Sequence, residues 1–153
     1  MTTRRTPAGD ALSSLVVQVF QLNGLLTATG DALARPAGQS TARWQVMAAA
    51  ENGPMTVAQI ARALRLTRQS VQRVADILVA DELAAFEDNP GHRRAKLLRL
   101  TESGQEALRL IQAAQRTWAD DVGGAVGEED LRQAGTVLDR VLRAIEARRV
   151  RGG

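Results

Sequence analysis

The 153-residue sequence contains no cysteine, one histidine and one lysine, and only 3% of its residues are aromatic. The absence of cysteine excludes disulfides, thiolate-ligated zinc and cysteine-based redox sensing. A single histidine, His92, leaves little for transition-metal binding or histidine-assisted catalysis. With so few aromatics, the core must be built from leucine, valine, isoleucine and alanine, which favours packed helices over a large sheet.

An uninterrupted run of about 20 apolar residues, the length of a membrane helix, is also missing. The most apolar stretch, residues 12–26, is interrupted by Gln18, Gln21 and Asn23. Arg4-Arg5 is not followed by the apolar region and cleavage site of an export signal. We therefore expect a cytoplasmic protein with no membrane partner, and the length suits a single domain.

Acidic residues are absent from two stretches of the chain, although the formal net charge is only +3. Residues 52–75 contain four arginines and no acid, and residues 89–101 contain five basic or imidazole side chains and no acid. Two basic stretches predict one positively charged surface that is assembled by folding. The alternative is chance clustering in an arginine-rich chain.

The N-terminal third is predicted to be helical. Residues 1–9 are expected to form a flexible arm, and Asp10 is the expected N-cap of a helix whose apolar residues recur at helical spacing. Pro36 indicates a loop, and Ser40 or Thr41 is expected to cap a second helix.

The middle of the chain predicts a helix-turn-helix. Thr56 and Gln59 have the spacing of a capping box at the start of a short helix. A break at Arg65-Leu66 follows, and Thr67 is expected to cap the next helix. The residues expected to face inward from these two helices are Val57, Ile60, Ala61, Leu64, Val71, Val74, Ala75 and Leu78.

A β-hairpin is predicted directly after the second helix of this pair. Residues 83–87 are compatible with a short strand, and Asn89-Pro90-Gly91 is typical of a turn. Residues 95–100 alternate loosely, with Leu98 and Leu100 expected to face inward.

Two helices are predicted to complete the chain. Thr101 is expected to cap a long helix, with Gly123-Gly124 and Gly127 breaking it. The last helix carries an apolar seam close to a heptad pattern, from Leu131 to Ile145. Residues 149–153 are expected to form a flexible basic tail.

This order of elements resembles the multiple antibiotic resistance regulator (MarR) family. The run from Asn89 to Gly104 is similar to the family's wing and the start of the following helix, and residues 67–74 look like its recognition helix. The resemblance implies a mainly α fold with a small β-wing, that is, six helices and a two- to three-stranded hairpin. It also implies a single domain over residues 10–148, with a winged helix-turn-helix at 41–100 and dimerisation helices at 10–35 and 101–148.

The sequence departs from the family pattern at two positions. His92 stands where the family usually has an aspartate that orients a wing arginine, and Asp88 is the candidate substitute. Glu82 stands where the family tends to have glycine between recognition helix and wing. A left-handed cap at that position is strained for glutamate.

The candidate DNA-binding residues divide by chemistry. Arginine can grip guanine, glutamine can pair with adenine, and hydroxyls near a helix start suit phosphate oxygens. A wing arginine can enter a narrow minor groove. The alternative is that the polar face of the second helix and the charged hairpin are simply solvated surfaces. The candidates are Arg68 and Arg73, Gln69 and Gln72, Thr67 and Ser70, and Arg93 and Arg94.

These features predict a homodimeric regulator, expected to be a repressor, that binds a pseudo-palindromic operator in double-stranded DNA. The alternative is a winged-helix protein-interaction module without DNA binding. By resemblance, a small aromatic or phenolic effector is a further expected partner, but no ligand-binding residue can be assigned. No cofactor or metal site is expected. No enzymatic activity is expected either, because the paired acids lie at helix ends.

Overall fold

The computed structural model describes residues 4–151, with backbone only for Arg151. Within these residues the elements follow the predicted order, with six α-helices and three strands. They are α1 (Pro7–Ala34), a 3-10 turn (Arg35–Ala37), α2 (Thr41–Ala49), β1 (Met55–Thr56), α3 (Val57–Leu64), α4 (Arg68–Ala80), β2 (Ala84–Glu87), β3 (Leu97–Leu100), α5 (Glu102–Val126) and α6 (Glu128–Arg151).

Helix α1 begins earlier than predicted, so the expected cap at Asp10 is wrong. Thr6 is the N-cap, and its hydroxyl accepts from the amide of Gly9 at 3.1 Å. Pro7 follows as the first helical residue, where a missing N–H costs nothing and the fixed φ suits the helix. The helix thus begins inside the predicted arm, whose residues 1–3 lie outside the described part of the chain.

The helix-turn-helix was predicted correctly. The capping box is formed in both directions, with the Gln59 amide at 3.1 Å from the Thr56 hydroxyl and the Thr56 amide at 2.8 Å from the Gln59 side chain. Thr67 caps α4 by accepting from the Ser70 amide at 3.2 Å. These caps satisfy first-turn amides that have no acceptor within the helix.

The wing is a three-stranded antiparallel sheet with the order β1-β3-β2. Ala84 pairs with Leu100 and Glu87 with Leu97, while Met55 of β1 pairs with Leu98. Strand β3 begins at Leu97, two residues later than predicted. Leu98 and Leu100 are buried, as their alternation predicted.

Helix α5 is attached to the base of the wing by backbone contacts. Thr101 caps the helix, with its hydroxyl at 3.1 Å from the Gly104 amide, and that hydroxyl also donates to the Glu82 carbonyl at 2.7 Å. The Thr101 amide donates to the Leu83 carbonyl at 3.0 Å. A Cβ at Gly104 would overlap that same carbonyl, so only glycine allows this approach.

The predicted break at Gly123-Gly124 is wrong, because α5 continues through both residues to Val126. Gly127 ends it, with a φ of 101° that a side chain rarely adopts. Helix α6 then continues to Arg151, so the first three residues of the predicted tail are helical. Residues 152–153 lie outside the described part.

The core lies in the middle of the chain. The chain divides into two compact units, residues 1–112 and residues 113–153. In the first unit a single cluster joins α2, α3, α4, the wing and the start of α5. Its buried members are Ala34, Val46, Met47, Ala50, Ile60, Ala61, Val71, Ala75, Leu78, Ala84, Leu98, Leu100, Leu108 and Ile111.

A polar joint connects α1 to α2. The Thr41 amide donates to the Asp31 carboxylate at 2.7 Å, and the Thr41 hydroxyl donates to the Thr27 carbonyl at 2.8 Å. The amide hydrogen bond holds the pKa of the Asp31 carboxyl below its ordinary value, because it stabilises the charged form. A Cβ at Gly30 would collide with the Thr41 hydroxyl, so this glycine lets the two helices approach.

Helix α1 exposes most of its apolar residues. Residues 4–29 include no buried residue, and Phe20 and Leu25 are 72% and 68% exposed. The helical stretch Pro7–Ala37 is, by length and composition, apolar enough to cross a membrane, since an 18-residue window within it has a mean hydropathy of 1.4. The three polar residues inside it therefore interrupt the apolar run without lowering its average below that of a spanning helix.

Candidate nucleic-acid interface

A cleft of about 560 Å³ lies between α4 and the wing. Arg68, Gln69 and Gln72 line it from α4, and Arg94 lines it from the hairpin loop of the wing. Folding therefore brings four of the eight sequence-predicted residues onto one surface. The remaining lining residues are Thr56, Val57, Ala58, Phe86, Ala95 and Lys96.

Lys96 is a cation of this cleft that was not among the predicted site residues. Its place in the acid-free stretch was the available signal, but the strand pattern did not indicate which side of the hairpin it faces. With Arg68 and Arg94 it gives the cleft three cationic side chains. The cleft residues include no acid, so the field within it favours an anionic partner.

The other flank of α4 forms a second, shallower groove of about 510 Å³. Arg73 lies here and does not line the wing-side cleft. Gln69 and Gln72 border both concavities, so they form the ridge between them. The other residues of this second groove are Asp76, Ile77 and Ala80.

The hydroxyls of Thr67 and Ser70 are engaged at the start of α4. Thr67 donates to the Ser70 hydroxyl at 3.0 Å, and Ser70 donates to the Thr67 carbonyl at 2.9 Å. A phosphate oxygen only accepts hydrogen bonds, so either hydroxyl must first give up an internal bond to reach one. The amides of Arg68 and Gln69, which have no intrahelical acceptor, face no such exchange.

The side chain of Gln72 is fixed by a neighbour one turn later. Its Nε2 donates to Oδ1 of Asp76 at 2.8 Å, and both side chains are exposed. Asp76 was not among the site residues predicted from the sequence.

The hairpin loop of the wing is held by its own backbone. The Asn89 side chain accepts from the Gly91 amide at 3.0 Å, and the Asn89 carbonyl accepts from the His92 amide at 3.1 Å. Arg93 and Arg94 are both exposed, but Arg93 does not line the cleft.

The expected substitution of Asp88 for the family aspartate does not occur. In the described part of the chain, Asp88 forms no ion pair with a wing arginine. The ion pair of the wing joins Arg99 of β3 to Glu87 of β2 at 3.1 Å, close to the loop. An ion pair thus joins β2 to β3, while no acid of the described residues forms an ion pair with Arg94.

Both helices of the helix-turn-helix end in a left-handed residue that is not glycine. Arg65 has a φ of 53° and Glu82 a φ of 59°. At each end the following amide reaches back to a carbonyl, from Leu83 to Leu78 at 2.9 Å and from Leu66 to Ala61 at 2.9 Å. This is the Schellman arrangement, in which glycine is preferred. Glu82 therefore adopts the strained cap that its position predicted.

Comparison with known proteins agrees with this geometry. The model of the MarR family matches residues 38–95, which contain the helix-turn-helix, β1, β2 and most of the hairpin loop of the wing. The uncharacterized protein Rv2011c of Mycobacterium tuberculosis is 39% identical over 140 residues, covering 92% of this chain and 98% of that protein. The chain belongs to the MarR family. This family comprises transcriptional regulators.

Solved structures show the same fold at low identity. AbsC, a MarR family transcriptional regulator from Streptomyces coelicolor, has a TM-score of 0.79 at 17% identity, over 95% of this chain and 99% of its own. The Mycobacterium tuberculosis regulator MosR, in complex with DNA, has a TM-score of 0.72 at 20% identity, and the match covers 85% of this chain and 96% of MosR. CouR from Rhodococcus jostii RHA1, bound to p-coumaroyl-CoA, has a TM-score of 0.75 at 16% identity, and the match covers 83% of this chain and 90% of CouR.

Proposed function

We propose that this MarR-family protein is a transcriptional repressor that binds a pseudo-palindromic operator in double-stranded DNA as a homodimer. The observation that carries the proposal is the shared cleft. It places Arg68, Gln69 and Gln72 of α4 and Arg94 of the wing on one cationic surface, whose lining residues include no acid. That surface matches a duplex, which offers base edges in the major groove and phosphates beside them.

In this reading α4 enters the major groove. Gln69 and Gln72 form its ridge and meet base edges, where glutamine pairs with adenine. Arg68 and Arg73 lie on opposite sides of the ridge, because one lines the wing-side cleft and the other the second groove. Each can therefore reach a guanine or a phosphate on its own side of the groove.

The hydrogen bonds within the start of α4 indicate which of its groups can contact phosphate directly. The first-turn amides of Arg68 and Gln69 can receive a phosphate directly at the positive end of the helix. Thr67 and Ser70 contact phosphate only after exchanging an internal hydrogen bond. Arg94, which no acid holds, is free to enter the adjacent minor groove, with Arg93 on the backbone beside it.

The homodimer is supported by the exposed apolar residues of α1 and α6. Leu22 and Leu26 of α1 are 50% and 44% exposed, and Leu131 and Ile145 of α6 are 45% and 47% exposed. Exposed leucines at helical spacing are typical of an interface. A twofold dimer would place two α4 helices about one DNA turn apart, giving half-sites about 10 base pairs apart.

Release from DNA by a small aromatic or phenolic effector is part of the proposal. The support is that CouR, a structural neighbour, binds p-coumaroyl-CoA. An effector must bind the DNA-free dimer more tightly than the DNA-bound one. We further propose that the protein acts in the cytoplasm without enzymatic activity, as expected for a regulator that meets DNA.

The test is a gel-shift titration on the DNA upstream of the protein's own gene at two salt concentrations. Arg94→Ala should weaken binding to operator and unrelated DNA alike and lower the salt slope by about one, because one phosphate-neutralising charge is lost. Arg73→Ala should instead relax preference at one base position, costing about 1–3 kcal/mol on the operator.

Arg140→Ala on α6 is the matched control, because it removes the same charge from an exposed position outside the proposed DNA interface. Retardation by both interface variants equal to that of the parent would refute the site. Failure of the parent protein to bind duplex DNA at low salt would favour the alternative, a winged-helix protein-interaction module.

A further inference from the structure

We propose that Asp76 is a specificity-determining residue that positions Gln72 to read adenine and to reject guanine. The inference rests on the proposed function, since it assumes that α4 enters the major groove. Both residues are exposed, so their pairing is available to serve recognition.

The geometry is local and well defined. Gln72 and Asp76 are one helical turn apart, and Nε2 of the amide lies 2.8 Å from Oδ1 of the carboxylate. Such an i, i+4 pair between glutamine and aspartate stabilises a helix. In the described residues Asp76 forms no ion pair with Arg73, three residues earlier, so the amide is its partner.

The carboxylate fixes which end of the amide faces it. An ionised carboxylate only accepts hydrogen bonds, so it must face the NH₂ group and not the carbonyl oxygen. A rotation of the amide by half a turn would set Oε1 against Oδ1, two acceptors with like partial charge. Asp76 thereby removes an ambiguity that a free glutamine side chain retains.

The pairing also changes what remains for a base. A free glutamine has two N–H donors, enough for both major-groove acceptors of guanine, N7 and O6. With one donor held by Asp76, Gln72 retains one donor and the acceptor Oε1. That set matches adenine, which offers N7 as acceptor and N6 as donor, and it places Oε1 against O6 if guanine is present.

The position of Gln72 makes this consequential. It lies on the ridge of α4, bordering both the wing-side cleft and the second groove. Its side chain is exposed and therefore accessible to a base edge. Asp76 decides which hydrogen-bonding groups of Gln72 face a base. It would therefore affect the preference for one base more than the affinity for DNA in general.

The experiment is selection from a randomised duplex library, with the parent, Asp76→Ala, Gln72→Ala and the double variant. The position read by Gln72 is the one at which Gln72→Ala loses preference. At that position the ratio of adenine to guanine selected by Asp76→Ala should fall about fivefold or more, given the discrimination of a bidentate pair. The double variant should match Gln72→Ala, because Asp76 acts through Gln72.

Asp139→Ala on α6 is the control for charge, since it also removes one exposed aspartate from a helix. It should leave every base ratio unchanged, and Asp76→Glu, which retains an acceptor, should recover part of the adenine preference. Circular dichroism of each variant checks that the helices remain folded.

A parent and an Asp76→Ala variant that select the same motif with the same base ratios would overturn the inference and leave the proposed function intact. A shift of equal size in the Gln72→Ala background would also overturn it, because Asp76 would then act on its own. A parent that selects no motif would refute the proposed function and the inference with it.

Discussion

Two regions of the molecule carry apolar stripes, and they differ in whether those stripes are buried. Between residues 30 and 111 the inward residues are closed off, with Leu78 and Ile111 fully buried. In residues 113–150, the part of the second unit whose side chains are described, no residue is buried. The first 26 described residues, all in or before α1, share that exposure.

This difference separates two uses of one sequence pattern. Helical spacing of leucine and valine predicted an apolar face on α1, α3, α4 and α6 alike. Among the residues that the structure describes in these four helices, only the faces of α3 and α4 are covered by other parts of the chain. The faces of α1 and α6 expose enough apolar area that a partner is the expected cover, because monomeric soluble proteins rarely leave such faces open.

The largest expected effect tests whether the winged region is as closed as its burial indicates. Gly104→Ala places a methyl group against the Leu83 carbonyl at the base of the wing and should lower the free energy of unfolding by about 3 kcal/mol or more. Urea unfolding followed by circular dichroism measures it.

The matched substitution is Gly135→Ala in α6, where nothing lies within 4 Å of a new Cβ. It should raise stability by about 0.5–1 kcal/mol, because alanine is the better helix former. Equal effects of the two substitutions would mean that the contrast between the regions is not one of packing.

The second effect concerns the open region. Leu22→Ala should weaken the proposed homodimer by about 3 kcal/mol, since each of two equivalent side chains loses about 1.5 kcal/mol of burial. Sedimentation equilibrium over a range of concentrations measures the dissociation constant. Gln21→Ala, at the neighbouring position on α1, is the control and should change it little.

An unchanged dissociation constant of the dimer in Leu22→Ala would show that Leu22 of α1 does not lie in the interface. Recovery of the parent protein with the membrane fraction after cell lysis would instead identify lipid as the cover of this apolar helix.

The smallest effect is expected at the cap that precedes the wing. Glu82→Gly should raise the free energy of unfolding by about 1 kcal/mol, because a left-handed conformation costs a side-chain-bearing residue more than glycine. Thermal unfolding measures it. A lower melting temperature would show that the contacts of the Glu82 side chain outweigh the strain of its backbone.

Much of the fold was predictable because its signals are local. The capping box at Thr56, the cap at Thr67 and the turn at Asn89 each act over three or four residues, so their spacing alone indicates the structure. The inward residues of α3 and α4 followed from periodicity for the same reason. The resemblance of the wing to the MarR family was likewise carried by a contiguous run of residues.

The errors arose where a local signal competes with another. Gly123-Gly124 weakens a helix without ending it, and the positive φ at Gly127 is what ends α5. Asp10 is a good N-cap by type, but Thr6 followed by Pro7 is better placed, and its hydroxyl meets the Gly9 amide. Caps are decided by which side chain reaches a free amide, and spacing alone did not rank the two.

The sequence by itself determined the helices, the turn chemistry and the two acid-free stretches, because each depends on residues close together in the chain. Tertiary structure decided that Arg68, Arg94 and Lys96 share one cleft while Arg73 lies in the second groove and Arg93 outside the cleft. It also decided that Thr67, Ser70 and Gln72 already have hydrogen-bond partners. These facts depend on side-chain direction and on the packing of the wing against α4, which a linear pattern does not specify.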